Sequence, residues 1–216
     1  MKKILYVVVF LTLPLLLMAS QSDTPVALVN DEAITESAFE ETLNRMKILY
    51  QDQVDFESED GAAFLTQLEK SVLEMMIQQK VIFQVAKAEG FLMPLSEAEE
   101  EVALIRASFE SEAAYLEALE ANGLSESSLI RSIQQDSTIE AYFEATISVT
   151  PVTEEEVVAF YEEQKAFAQA QQQEVPELEE VFDWIVNQLT EERQRAKANT
   201  VVEQLVSEAT IERLRS

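Results

Sequence analysis

The sequence predicts a mainly α protein: a helical cluster around one long central helix, with a short two-stranded pairing of the N- and C-terminal strands. Three observations carry this. Only 3 glycines and 5 prolines occur in 216 residues rich in Ala, Glu, Gln and Leu, so little interrupts helices. The stretch Gly61–Gly90 contains no proline, and glycine stands only at its two ends. Short strand-like runs lie near both ends of the chain, at 26–29 and 210–214.

The 61–90 stretch organises the rest. Phe64, Leu68, Val72, Met75, Ile82 and Ala86 follow helical spacing, and Leu65, Leu73, Met76, Ile77 and Val81 fill the neighbouring face. From Val72 to Val85 apolar residues cover more than half of the circumference, so other helices must wrap it. Gly90 stands where a positive φ closes a helix.

Residues 1–20 have Lys2 and Lys3, an apolar run from Ile4 to Met18, and then small residues. This is the layout of a secretory signal. Pro14 and the short apolar core disfavour a spanning helix, and an uncleaved anchor over residues 4–18 is the alternative. Leu17-Met18-Ala19-Ser20 resembles a bacterial lipoprotein box with Ser20 in place of the lipidated cysteine. Without a thiol no thioether lipid forms, so a soluble exported protein is expected.

Pro25–Asn30 reads as a strand followed by a turn at Asn30-Asp31. Ile34 points back to the core, and Thr35 caps a helix from Glu36 to about Tyr50, with Phe39, Leu43, Met46 and Tyr50 on its apolar face. Residues 52–60 are acidic and read as a loop into the long helix. Beyond Gly90, residues 91–94 form an extended connector. Ser96 to Glu99 has the pattern of a capping box for a helix through Phe109. Ser111 caps a helix over 112–121, which Asn122-Gly123 ends, and Ser125 caps another over 126–146. Pro151 breaks the chain, and Thr153 to Glu156 is a second capping box, opening a helix that reaches Phe167. Residues 168–176 read as a short connector. A last long helix runs from Leu178 to about Ser207, with Trp184 expected in the core. Residues 209–214 alternate like a strand. A lone short strand at each terminus needs a partner, so Val26–Val29 and Thr210–Leu214 are expected to pair.

Composition narrows function by exclusion. The formal charge is −26. It becomes −28 without residues 1–20, because Lys2 and Lys3 leave and no acid does. Such a charge argues against nucleic acid and anionic membranes as partners. The chain has no histidine and no cysteine, which removes disulfides, thiol nucleophiles, Cys/His metal sites and histidine acid–base catalysis. No catalytic residue, metal or cofactor is expected.

The order of segments resembles the peptide-binding domain of the SurA, PrsA and PpiD foldases and chaperones. The likeness rests on VALVNDEAITESAFEETL (26–43) and LEKSVLEMMIQQKVIFQVAKAEGF (68–91). It continues through residues 96–143, 149–167 and 181–214. Asp31 departs from it, standing where the family usually has glycine. So does the 168–176 interval, where relatives often carry a parvulin isomerase domain. A parvulin site also normally uses a histidine pair. The resemblance therefore implies one chaperone domain over 24–216, without prolyl isomerase activity, holding unfolded exported or outer-membrane polypeptides without ATP in the periplasm or another extracytoplasmic space. A non-catalytic adaptor for one specific partner at the membrane is the alternative, and a prolyl isomerase is disfavoured. Client contact is expected from an adaptable apolar surface. Met75 and Met76 are candidates because methionine is flexible and polarizable. The aromatics Phe109, Tyr115, Tyr142, Phe143, Phe160 and Tyr161 are further candidates, with core packing as the competing reading. Clients and oligomeric state are not set by the sequence.

Overall fold

The computed structural model describes residues 23–171 and 173–215; the signal reading of residues 1–20 lies outside them. The described chain runs β1 (Pro25–Val29), β2 (Glu32–Thr35), α1 (Glu36–Tyr50), α2 (Glu59–Ala88), α3 (Leu95–Ala107), α4 (Glu112–Ala121), α5 (Glu126–Thr146), α6 (Glu154–Ala170), α7 (Leu178–Glu208) and β3 (Ile211–Arg213). It is mainly α, with one small antiparallel sheet in the order β2-β1-β3.

The expected pairing of the terminal strands forms, and a third strand, β2, joins it. The expected partners do pair, Ala27 with Arg213, Leu28 with Glu212 and Val29 with Ile211. The segment after the turn is also a strand, because Asn30 and Asp31 both adopt positive φ, 49° and 66°. Two such residues form the tight turn whose twist matches a hairpin, so Glu32 lands opposite Val29. Asp31 thus holds the conformation that glycine would take more easily. The turn is clasped from two sides. Thr210 and Asn30 exchange hydrogen bonds, with Asn30 N–H reaching Thr210 O at 2.8 Å and Thr210 N–H reaching Asn30 Oδ1 at 2.8 Å. Gln84 of α2 donates to Val29 O at 3.0 Å and accepts from Asn30 Nδ2 at 2.9 Å.

At 1.5 Å per residue, α2 is about 45 Å long. It begins two residues earlier than its glycine suggests, because the Ser58 hydroxyl accepts from Gly61 N–H and makes Ser58 the cap. Gly61 is needed there for space: a Cβ would lie 1.8 Å from Asp55 O. At the other end Gly90 has φ 93°. As its apolar circumference requires, α2 is covered on several sides, by α1, α5, α7 and β1.

Four apolar clusters hold the fold. The largest joins the sheet, α1, the first part of α2 and the end of α7 around Phe39, Val72 and Ile77. A second joins the end of α2 to α5 and α7 through Ile82, Ala86 and Tyr142. A third joins α3, α4 and α5 around Val102, Tyr115 and Leu119. The fourth lies between α6 and the first half of α7, around Val157, Tyr161 and Ile185.

Side-chain caps form at Thr35, Ser111, Ser125 and Thr153, with capping boxes at the last two. The expected box at Ser96 does not form. Pro94, extended with φ −58° and ψ 140°, is itself the N-cap, so α3 starts at Leu95 and Ser96 lies inside its first turn. Trp184 is 59% exposed rather than core. The buried face of α7 follows Leu178, Val181, Phe182, Ile185 and Leu189, and Trp184 falls to one side of that stripe.

Candidate functional site

Both α1 and α5 pack on α2 but scarcely on each other. The space between them is a cleft of about 650 Å³. Its floor is α2, through Met75, Met76, Gln79 and Lys80. One wall is α1, with Thr42, Arg45, Met46 and Leu49, and the other is α5, with Ser128, Arg131, Ser132, Gln135 and Asp136. The edge strand β2 closes one end through Ala33–Thr35, and the α4–α5 turn closes the other through Asn122 and Leu124. Gly123 makes that closure tight: with φ 63°, its missing Cβ would sit 3.2 Å from Ile48 Cδ1 and 3.4 Å from Arg45 Cγ.

The lining combines three methionines with neutral amides and hydroxyls. Thioethers mould to varied side chains, whereas Gln79, Asn122 and Gln135 each offer both a donor and an acceptor. The charges are balanced here, unlike the acidic whole. Lys80 pairs with Glu32 at 2.7 Å, and Arg131 stands 4.0 Å from Glu41. The hydrogen bond from Lys80 holds Glu32 below the ordinary carboxylate range. Arg45 reaches Thr42 Oγ1 at 3.4 Å, but its Nε is buried without a hydrogen-bond partner. Partial burial holds Asp136 above the ordinary carboxylate range, against the pull of Arg45.

Of the candidates read from the sequence, the structure brings Met75 and Met76 into this cleft. The aromatics are divided among three other places. Phe109 and Tyr115 stack edge-on, 5.6 Å apart, in the α3–α4–α5 cluster. Tyr142 and Phe143 lie beside Phe91 in the α2–α5–α7 cluster. Phe160 and Tyr161 belong to the α6–α7 cluster, where Tyr161 donates to Pro176 O at 2.9 Å. Tyr115, Tyr142 and Tyr161 are 1%, 5% and 5% exposed, so these three anchor cores. Sequence reading missed Arg45, Met46, Gln79 and Gln135. Helical spacing places Met46 and Met75 on apolar faces, but nothing in spacing says that α1 and α5 stand apart on α2.

Fold and cleft define the class: a helical scaffold, fastened by its own strand-forming ends, around an open and adaptable groove. Residues 2–142 match the family model of the SurA-like N-terminal domain, and the chain belongs to that family. The match spans β1 to α5 and so includes every cleft residue; α6, α7 and β3 lie beyond it. No curated protein matches the sequence. Among the described residues, no helix is long and apolar enough to cross a membrane.

Proposed function

We propose that this protein is an ATP-independent holdase, which keeps unfolded exported polypeptides from aggregating by binding short extended segments in the α1–α2–α5 cleft. Family membership supports a chaperone-like, peptide-binding role in general. The observation that carries the finer reading is the lining: methionines for any side chain, beside paired donors and acceptors for any backbone. A peptide backbone can exchange hydrogen bonds with the side-chain amides of Gln79 and Gln135 that line the cleft. Such contacts do not depend on client sequence. In this reading residues 1–20 direct export, and residues 24–216 act as one chaperone domain. The reading includes no catalysis. The SurA-like N-terminal domain is the non-catalytic part of the foldases that carry it, and the sequence has no histidine.

The test is aggregation of a chemically unfolded outer-membrane-type protein, with and without the purified chain, at low and high salt. Suppression without nucleotide at both salts is the expected result. No suppression with any unfolded client would overturn the reading and favour a specific adaptor. A proline-isomerisation assay is expected to stay at the level of buffer.

A further inference from the structure

The arm made by α6 and the first half of α7 has a core of its own, which shares no residue with the other three clusters. Outside that core it presents two large aromatics to solvent, Phe167 at 66% exposure and Trp184 at 59%. Phe160 and Phe167 are seven residues apart and share one side of α6. At about 100° per residue, Trp184 lies one step round from the buried Ile185. In an antiparallel helical pair that step falls on the side that Phe160 and Phe167 occupy.

The charge around these rings is one-sided. Between residues 154 and 192 the chain has twelve acids and one base, Lys165. Lys165 is occupied over the Tyr161 ring, 5.2 Å from its centroid. Glu163 stands four residues before Phe167 and Glu180 four before Trp184, the spacing of surface neighbours on a helix. Among the described residues, only Glu156 of these acids is paired, with Arg193.

We infer that this face of the arm is a second docking surface, whose occupant is a basic amphipathic stretch of polypeptide. Apolar side chains of that stretch cover Trp184 and Phe167, and its lysines or arginines meet the acidic rim and the ring faces. Acidic chains and anionic lipid surfaces are repelled by the same charge. The arm lies outside the cleft, so this surface stands or falls without the holdase reading.

Trp184 is the chain's one tryptophan and reports directly. The purified full chain is titrated with a synthetic peptide of alternating lysine and leucine, with glutamate–leucine and lysine–serine peptides as comparisons. The lysine–leucine peptide is expected to shift Trp184 emission to shorter wavelength. Phe167→Ala is expected to weaken its binding about tenfold, as truncation of an aromatic anchor does, and so is added salt. Circular dichroism confirms that the variant keeps its helices. An unchanged emission, an equal shift with the glutamate–leucine peptide, or full binding by Phe167→Ala would overturn the inference. So would an equal response to the lysine–serine peptide, which would reduce the surface to charge alone. A Met75→Glu variant, changed in the cleft and outside the apolar clusters, is expected to give the same emission response as the parent.

Discussion

Thr138→Val offers a stringent test of how the helical layers are joined. Thr138 is fully buried on α5. Its Oγ1 accepts from Met93 N–H at 3.0 Å and donates to Gln134 O at 2.6 Å. Gln134 Nε2 in turn donates to Met93 O at 2.9 Å. Both backbone groups of Met93, in the connector between α2 and α3, are thus met by α5 side chains, as a neighbouring strand would meet them. Valine keeps the shape and removes the acceptor. A buried N–H left unsatisfied costs roughly 1–3 kcal/mol, and because Met93 is half-buried the lower part, about 1–2 kcal/mol, is expected. For a chain of this size each kcal/mol lowers Tm by about 2–4 °C, giving a fall of roughly 2–8 °C. Thr138→Ser keeps the hydrogen bonds and loses one methyl, worth about 1 kcal/mol. The assay is thermal and urea unfolding of both variants. Thr138→Val as stable as the parent, or Thr138→Ser clearly worse than Thr138→Val, would refute the account of this joint.

Four further outcomes follow from other parts of the structure. Met75→Glu puts a carboxylate on the cleft floor; client capture, read by anisotropy of a labelled unfolded protein, is expected to weaken about tenfold while Tm changes little, because Met75 lies outside the apolar clusters. Asp136 has a raised pKa, so its folded form favours the proton and the ionised group destabilises the fold above that pKa. Asp136→Asn is therefore expected to raise Tm at pH 7, with the gain disappearing below the ordinary aspartate value of 3.8. Glu74 shows the opposite sign, because its hydrogen bond from Arg213 lowers its pKa below the ordinary 4.5. Arg213→Ala is expected to cost under about 1 kcal/mol at pH 7, as for an exposed pair, and progressively less as acid titrates Glu74. Asp31→Gly is expected to be neutral or stabilising at its positive φ, and Asp31→Val to cost about 1–2 kcal/mol, in equilibrium unfolding.

The helices were legible because their signals are local. Thr35, Ser111, Ser125 and Thr153 each cap the helix expected of them, and the wrapped circumference of α2 announced its central place. The pairing of the two chain ends was legible because an unpaired short strand is untenable. What failed had a physical competitor close by. The turn at Asn30-Asp31 hid β2, since four residues ending in a helix cap give too few alternations to register as a strand. Pro94 overrode the serine of a plausible capping box. Trp184 is expected in the core because it sits among the apolar residues of α7, although its position one step off the Ile185 stripe leaves it in solvent. The cleft was half legible. Its methionines were visible as an adaptable pair, but Arg45 and Gln135 depend on how far apart α1 and α5 stand across α2, which is a tertiary distance and leaves no mark in either helix.

The most direct test of the central claim is site-specific photocrosslinking. A photoreactive residue is placed at Gln79 on the cleft floor, and in a second preparation at Glu99, exposed on α3, and each is irradiated with an unfolded outer-membrane-type client. The account predicts client adducts from Gln79, competed away by excess unlabelled unfolded chain, and few or none from Glu99. Equal adducts from the two positions, or none from Gln79 while aggregation is still suppressed, would contradict the cleft as the holding site.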